Sequence, residues 1–200
     1  MLLTILGESV QMKIETLIER LTDGNHDSQE LELPFPIYHE TYARNFVLTR
    51  YGQIENKGYF LKKGIIQCSV QKDGEERIID FVFPGNFVTA YNSFVLDSPS
   101  DIEVSVLSDC EVGYFLKVDV KKRYEDSLIA NQLGRYIKEK ILVEKLTREK
   151  KFLTNSAEEN YRELLKNRPE IIEHIPVHKI AKYLGIHPES LSRIRARVIS

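Results

Sequence analysis

From about Tyr42 to Phe115, apolar and polar residues change over in short runs: FVLTRYG, KGYFLKKG, IIQCSVQKDG, ERIIDFVFPG, IEVSVLSD and CEVGYFL. Gly52, Gly64, Lys72-Asp73-Gly74 and Pro84-Gly85 separate these runs. Spacings of about 8 to 13 residues between turn signals predict an antiparallel β-roll or barrel. Asp73-Gly74 fits a two-residue hairpin, because both positions tolerate positive φ. Alternation is clean over Ile65–Val70 and Ile102–Val106, the pattern of strands with one buried face.

The period changes after Val120. Leu128, Ile129, Leu133, Tyr136, Ile137, Ile141, Val143 and Leu146 recur at helical spacing, with charges between them in KEKILVEKLTREKK. The run predicts a helix of about 25 residues, roughly 38 Å long at 1.5 Å per residue. Its two apolar edges ask for more partners than one small domain supplies, which points to a dimer helix; the alternative is a long helix within one domain. Thr154-Asn155-Ser156 then breaks the pattern, and a hinge is placed there. Ser156 and Glu159 form a capping box for a helix through AEENYRELLKNR that stops before Pro169.

A further short helix is expected over about Val177–Leu184, closed by Gly185, with Pro188 in the first turn of the next helix. Helix, glycine-containing turn, helix is the helix-turn-helix pattern, in which small Ala181 permits close approach. On the second helix Leu191, Ile194 and Val198 make one apolar stripe, while Glu189, Ser192, Arg193 and Ala196 lie roughly opposite with Ser190 and Arg197 beside them. Such a face suits a DNA major groove. Arg193 is the expected bidentate partner of guanine, Glu189 an acceptor from cytosine, and Ser190 and Ser192 contacts to base edges or phosphate. Arg197 is a second contact, Arg195 a flank at the stripe's edge, and Lys179 an additional contact from the preceding helix.

Charge strengthens this reading. The 200-residue chain has a formal net charge of −2. Residues 175–200, however, hold Lys179, Lys182, Arg193, Arg195 and Arg197 against Glu189 alone, the basic end expected where a small part of a chain meets a polyanion. Hydrophobic residues make up 42% of the composition, enough to bury a core in one or two domains. The longest uncharged stretch, Phe81–Leu96, is interrupted by Pro84, Gly85 and Asn86 and is too short to span a bilayer. MLLTILGESVQMKIETLIERL lacks a basic leader and reads as an amphipathic helix, so no signal peptide and a cytoplasmic location are expected. Cys68 and Cys110 sit in β-like runs as small hydrophobes. The five histidines are scattered, and His39 alone lies near the β-rich half, so no metal site and no catalytic residue is expected.

Taken together, GYFLKKGIIQCSVQKDGEERIIDFVFPGNFV, the long arm and KIAKYLGIHPESLSRIRARV resemble the Crp/Fnr family of bacterial transcription regulators. The resemblance implies an α+β chain: an antiparallel, cyclic-nucleotide-binding-like β-roll over residues 1–126, a dimerisation helix over 127–153 and a helix-turn-helix domain over 154–200. It further implies a homodimer with reading helices about one duplex turn apart, roughly 34 Å, on a palindromic double-stranded site, and RNA polymerase as a candidate partner. Nucleotide-binding members of the family carry a Gly-Glu pair and, about ten residues on, an Arg followed by a small hydroxyl residue. Here Thr89 and Ala90 stand at the first pair of positions and Ser100 and Asp101 at the second. Arg gives phosphate a forked, permanent charge that Ser does not replace, and losing one buried charge-assisted bond costs roughly 1.5 to 3 kcal/mol. Neither cyclic AMP nor cyclic GMP is therefore the expected ligand. Tyr91, Asn92, Ser93 and Ser100 either line a pocket for another small molecule or simply fill the roll.

Relatives continue into a β-hairpin wing beyond the reading helix. This sequence stops three residues after Arg197, so a full wing is not expected, and with it goes part of the phosphate grip. Two rival readings stand beside the regulator: an assembly protein with a vestigial helix-turn-helix, and a β-barrel enzyme holding a metal among histidines.

Overall fold

The computed structural model describes residues 35–199. The expected N-terminal amphipathic helix lies outside them. Six strands form one antiparallel sheet: β1 (Tyr38–Tyr42), β2 (Val47–Thr49), β3 (Lys57–Lys72), β4 (Glu75–Val82), β5 (Phe87–Val88) and β6 (Glu103–Leu116). Their order is β1-β6-β3-β4, with β2 on β6 and β5 on β3. Seven helices complete the described residues: α1 (Tyr91–Leu96), α2 (Lys117–Asp126), α3 (Leu128–Thr154), α4 (Ala157–Asn167), α5 (Pro169–His174), α6 (Val177–Leu184) and α7 (Pro188–Ile199).

Two pairs of expected strands are in fact continuous. KGYFLKKG and IIQCSVQK form the single 16-residue β3, and β6 runs 14 residues through IEVSVLSD and CEVGYFL. Gly64 does not end a strand. It sits in β3 at φ +93°, where the β3–β6 register shifts repeatedly between Leu61 and Ile66. The extra residues are absorbed as bulges, which bend a strand without ending it. A Cβ on Gly64 would lie 2.4 Å from the Asp109 carbonyl oxygen, so glycine is what lets the strands stay paired. Asp73 and Gly74, at φ 56° and 79°, do make the tight hairpin, and Lys72 pairs with Glu75 across it.

One core fills the roll, built from Leu61, Ile66, Cys68, Val82, Val104 and Val112 among others. Both cysteines are buried free thiols, Cys110 with Val112 in this core. Alternation over Ile102–Val106 matches burial, with Ile102, Val104 and Val106 inside. Over Ile65–Val70 it does not. Gln67 and Ser69 are buried as well as Ile66 and Cys68. The second face of the sheet is covered there too, because the C-terminal helices rest on it. Ile78, Phe81 and Phe83 form a second core with Tyr161, Leu164, Ile171, Ile180, Leu191 and Ile194. A register shift between Cys68 and Ser69 gives β4 one extra residue, so Ile78 and Phe81, three apart, both reach this cluster.

The long helix α3 has 27 residues, and Ser127 caps it by accepting the Ala130 N–H at 3.2 Å. Ala130, Leu133 and Ile141 face inward, while Leu128, Leu142, Val143, Leu146, Phe152 and Leu153 are exposed. The predicted capping box is formed at Ser156 and Glu159. Gly185, left-handed at φ 71°, ends α6, and the Ile186 N–H returns to the Ala181 carbonyl at 3.0 Å.

Candidate functional site

The outer face of α7 follows the sequence reading closely. Leu191 and Ile194 are anchored in the second core with Val198 at its edge. Glu189, Ser190, Ser192, Arg193, Ala196 and Arg197 are exposed, and Arg195 is half-buried beside the apolar stripe. Arg197 leans on α4, its Nη2 lying 3.4 Å from Glu158 Oε2, and Glu158 also pairs with Arg162 at 3.0 Å.

Lys179 is placed differently from the rest. Its Nζ donates to Gln67 Oε1 on β3 at 2.6 Å, and Lys182 Nζ donates to Glu76 Oε2 on β4 at 3.1 Å. Gln67 in turn donates to Glu76 Oε1 at 2.7 Å, closing a four-residue polar network between α6 and the roll. Burial lowers the pKa of Lys179, with the Glu76 charge opposing it. Burial by itself would raise that of Glu76, but the Lys182 hydrogen bond and the charges of Lys179 and Lys182 hold it below the ordinary range.

Behind this network lies a contact that the sequence reading missed. Arg168 Nη1 donates to Asp80 Oδ1 at 2.6 Å and Nη2 to the Phe81 carbonyl at 2.6 Å. Both side chains are almost fully buried, at 6% and 2% exposure. Asp80 Oδ1 also accepts the Phe81 N–H at 2.7 Å. A buried charge survives when it is paired and its remaining valences are satisfied, which is the arrangement here. The available signal was Asp80 itself, a charge inside the apolar run IIDFVF.

The residues expected around an effector pocket are dispersed. Thr89 donates its hydroxyl to the Lys57 carbonyl at 2.9 Å, and Ala90 is packed in the roll core. Asn92 and Asp101 are exposed. Ser100 is buried and closes its own loop, donating to the Ile102 carbonyl at 2.7 Å and accepting the Ile102 N–H at 3.2 Å. Ser93 is buried, accepting the Glu55 N–H at 2.8 Å and donating to the Ser98 carbonyl at 2.5 Å. Only Thr89 and Tyr91 border a common cavity, of about 290 Å³, between the roll and the start of α3. Glu55, also missed, is buried with its carboxylate accepting the Asn56 and Lys57 N–H groups at 2.9 Å each and the Thr49 hydroxyl. Burial pushes its pKa up against those bonds.

Among the described residues no group of three His, Cys, Asp or Glu is placed to hold a metal, and no helix is long and apolar enough to cross a membrane.

Comparison with known proteins agrees with this architecture. Residues 39–127 match the profile of the cyclic nucleotide-binding domain. No curated protein matches the sequence. The solved structure of CLP, the c-di-GMP responsive global regulator of Xanthomonas campestris, is 14% identical, with a TM-score of 0.61 over 81% of this chain and 86% of that one. A CooA mutant from Carboxydothermus hydrogenoformans is 11% identical, with a TM-score of 0.62 over 80% and 75%. FixK2 from Bradyrhizobium japonicum is 16% identical, with a TM-score of 0.62 over 82% and 84%. At such identities the likeness is one of fold. The chain therefore has a Crp/Fnr-like cyclic nucleotide-binding fold, and residues 39–127 are the part that matches the cyclic nucleotide-binding domain.

Proposed function

We propose that this protein is a homodimeric, sequence-specific DNA-binding transcription regulator of the Crp/Fnr type, a cytoplasmic protein without enzymatic activity. The observation that carries the proposal is the outer face of α7. Leu191 and Ile194 fix the helix in the core, and Glu189, Ser190, Ser192 and Arg193 project from it unburied over its first two turns. Arg193 supplies a fork for guanine and Glu189 an acceptor for cytosine, each good contact giving about 1 to 3 kcal/mol of base discrimination. The exposed apolar row Leu142, Val143 and Leu146 on α3 supports dimerisation, since two copies of that row bury it. RNA polymerase is the further partner that a regulator of this type engages.

The roll is not built for a cyclic phosphate. Residues 84–101 contain neither Lys nor Arg and include Asp97 and Asp101, and the Ser100 hydroxyl is committed to Ile102. Both features support the reading that cyclic AMP and cyclic GMP are not its ligands.

Fluorescence anisotropy on palindromic duplexes across a salt series tests the reading. Arg193→Ala is expected to lower affinity about tenfold or more on the preferred site and to relax sequence preference there. Binding without sequence preference, or binding that Arg193→Ala leaves unchanged, overturns it. One observation favours the assembly reading instead: Lys179 and Lys182 are tied to Gln67 and Glu76 rather than presented to phosphate. Absence of any DNA affinity in the same series would decide for that reading.

A further inference from the structure

The long helix and the C-terminal helices meet at a two-residue joint. Helix α3 ends at Thr154 and α4 starts at Ala157, and Asn155 and Ser156 between them are both extended, at ψ 144° and 163°. The Ser156–Glu159 capping box fixes how α4 begins, not how it is angled to α3. Backbone φ and ψ are the soft coordinates of a chain, so a joint of this kind holds its angle only if its flanks are held from outside.

Both flanks are held by consecutive residues of β4. On the α3 side, Arg148 Nη2 donates to the Ile79 carbonyl, and its guanidinium lies over the Tyr183 ring of α6, 5.1 Å from the centroid. On the other side, Arg168 stands between α4 and α5 and forks onto Asp80 Oδ1 and the Phe81 carbonyl at 2.6 Å each. Phe81 then meets Tyr183 ring to ring at 5.7 Å. Ile79, Asp80 and Phe81 thus close a circuit through α3, the α4–α5 corner and α6. Lys151 and Glu163 add a bridge straight across the joint at 2.5 Å. A guanidinium suits both places, because its planar fork reaches two acceptors and stacks on a ring, which an ammonium does not reproduce.

A fixed angle matters to a dimer that reads a palindrome. The exposed row Leu142, Val143 and Leu146 lies just before Arg148 on the same unbroken helix, so the face that joins two copies and the first anchor on β4 move as one. Each base pair added between half-sites shifts them by about 3.4 Å and turns one against the other by about 35°. We propose that Arg148 and Arg168 are positioning residues that clamp both sides of the α3–α4 joint to β4 and thereby set the half-site spacing the dimer accepts. This role rests on the dimeric DNA-binding reading and adds to it a determinant of spacing, separate from the base preference of α7.

Anisotropy of the full-length protein on palindromes whose half-sites are moved one base pair apart or together measures the spacing preference directly. The parent is expected to prefer one spacing about tenfold or more. Arg148→Gln, at a half-buried position, is expected to reduce that penalty to about threefold and to leave the ranking of half-site sequences as it was. Arg168→Lys keeps a charge for Asp80 without the fork; it carries the same expectation and decides where circular dichroism shows that Arg148→Gln does not fold. Pulsed electron resonance between nitroxides at Ala196→Cys on the two α7 helices reads the clamp without DNA, since Cys68 and Cys110 are buried. A narrow distance distribution is expected for the parent and a broader one for Arg148→Gln. Uniformly weaker binding with the spacing penalty intact, or equal widths in the two proteins, overturns the clamp and leaves the regulator reading standing. A parent that prefers no palindrome overturns that reading, and the clamp's role in spacing with it.

Discussion

Glu55 shows how much a single side chain depends on its surroundings. At 1% exposure it sits deeper than most of the apolar residues, yet in GQIENKGYF it reads as one more polar residue of a turn. Oε1 takes the Asn56 and Lys57 N–H groups and Oε2 the Thr49 hydroxyl, so the side chain closes the turn before β3. Burial raises its pKa in spite of those three bonds. A carboxyl raised in the folded state holds its proton more tightly folded than unfolded. Its contribution to stability therefore improves as the pH falls through the folded value and levels off at the ordinary carboxylate value, about 4. Glu55→Gln keeps an acceptor for both N–H groups and turns the third bond round, with the amide donating to the Thr49 oxygen. Urea unfolding across a pH series is expected to find the variant at least as stable as the parent at neutral pH, and flatter between neutral pH and pH about 4. A loss of more than about 2 kcal/mol at neutral pH would mean that the charge itself is required. Where a residue's neighbours come from its own helix, the sequence was enough: Leu191, Ile194 and the flanking Arg195 lie where an angular count puts them.

Among the elements, the legible ones carry their signals locally. The Asp73-Gly74 hairpin, the Ser156 capping box and the Gly185 stop each depend on two to four adjacent residues, and each was found where those residues stand. Gly64 was misread because the same glycine serves either a turn or a bulge, and only the partner strand decides which. The helix α1 within NFVTAYNSFVLD was not foreseen, since six residues make too short a run to show a period. The break between α2 and α3 rests on Ser127 and on Gly134, where a Cβ would come within 2.2 Å of Tyr124 Oη. The two glycines differ in what opposes a side chain. At Gly64 the obstacle is backbone and φ is +93°, whereas at Gly134 it is the end of a tyrosine ring that can turn aside. Gly64→Ala is accordingly expected to cost about 1 to 3 kcal/mol in chemical denaturation, and Gly134→Ala distinctly less. The reverse order would place the tighter constraint at the α2–α3 contact.

On the scale of the whole molecule, the roll and the C-terminal helices are one packed body, which no local pattern announces. Asp80 and Arg168 are far apart in the chain, as are Gln67 and Lys179, and pairings of that kind come from tertiary packing alone. The basic end read from the sequence is therefore divided. Arg193 on α7 is exposed, while Lys179 and Lys182 on α6 are held against the sheet by Gln67 and Glu76. On the DNA-binding reading these two lysines have competing partners, the roll and the phosphate backbone. Glu76→Gln removes the charge that holds Lys182 and lowers the field at Lys179 while leaving the second core of Ile78, Phe81 and Leu191 untouched. If the contact withholds both lysines from DNA, the variant binds non-specific duplex more tightly at low salt. Each lysine that reaches a phosphate adds about 0.9 to the slope of log affinity against log salt, so the slope steepens by about 2 for the pair. Preference between duplex sequences is expected to stay as it was, because phosphate contacts position a protein without reading bases. A salt slope equal to that of the parent would show that Lys179 and Lys182 serve only to seat α6 on the roll.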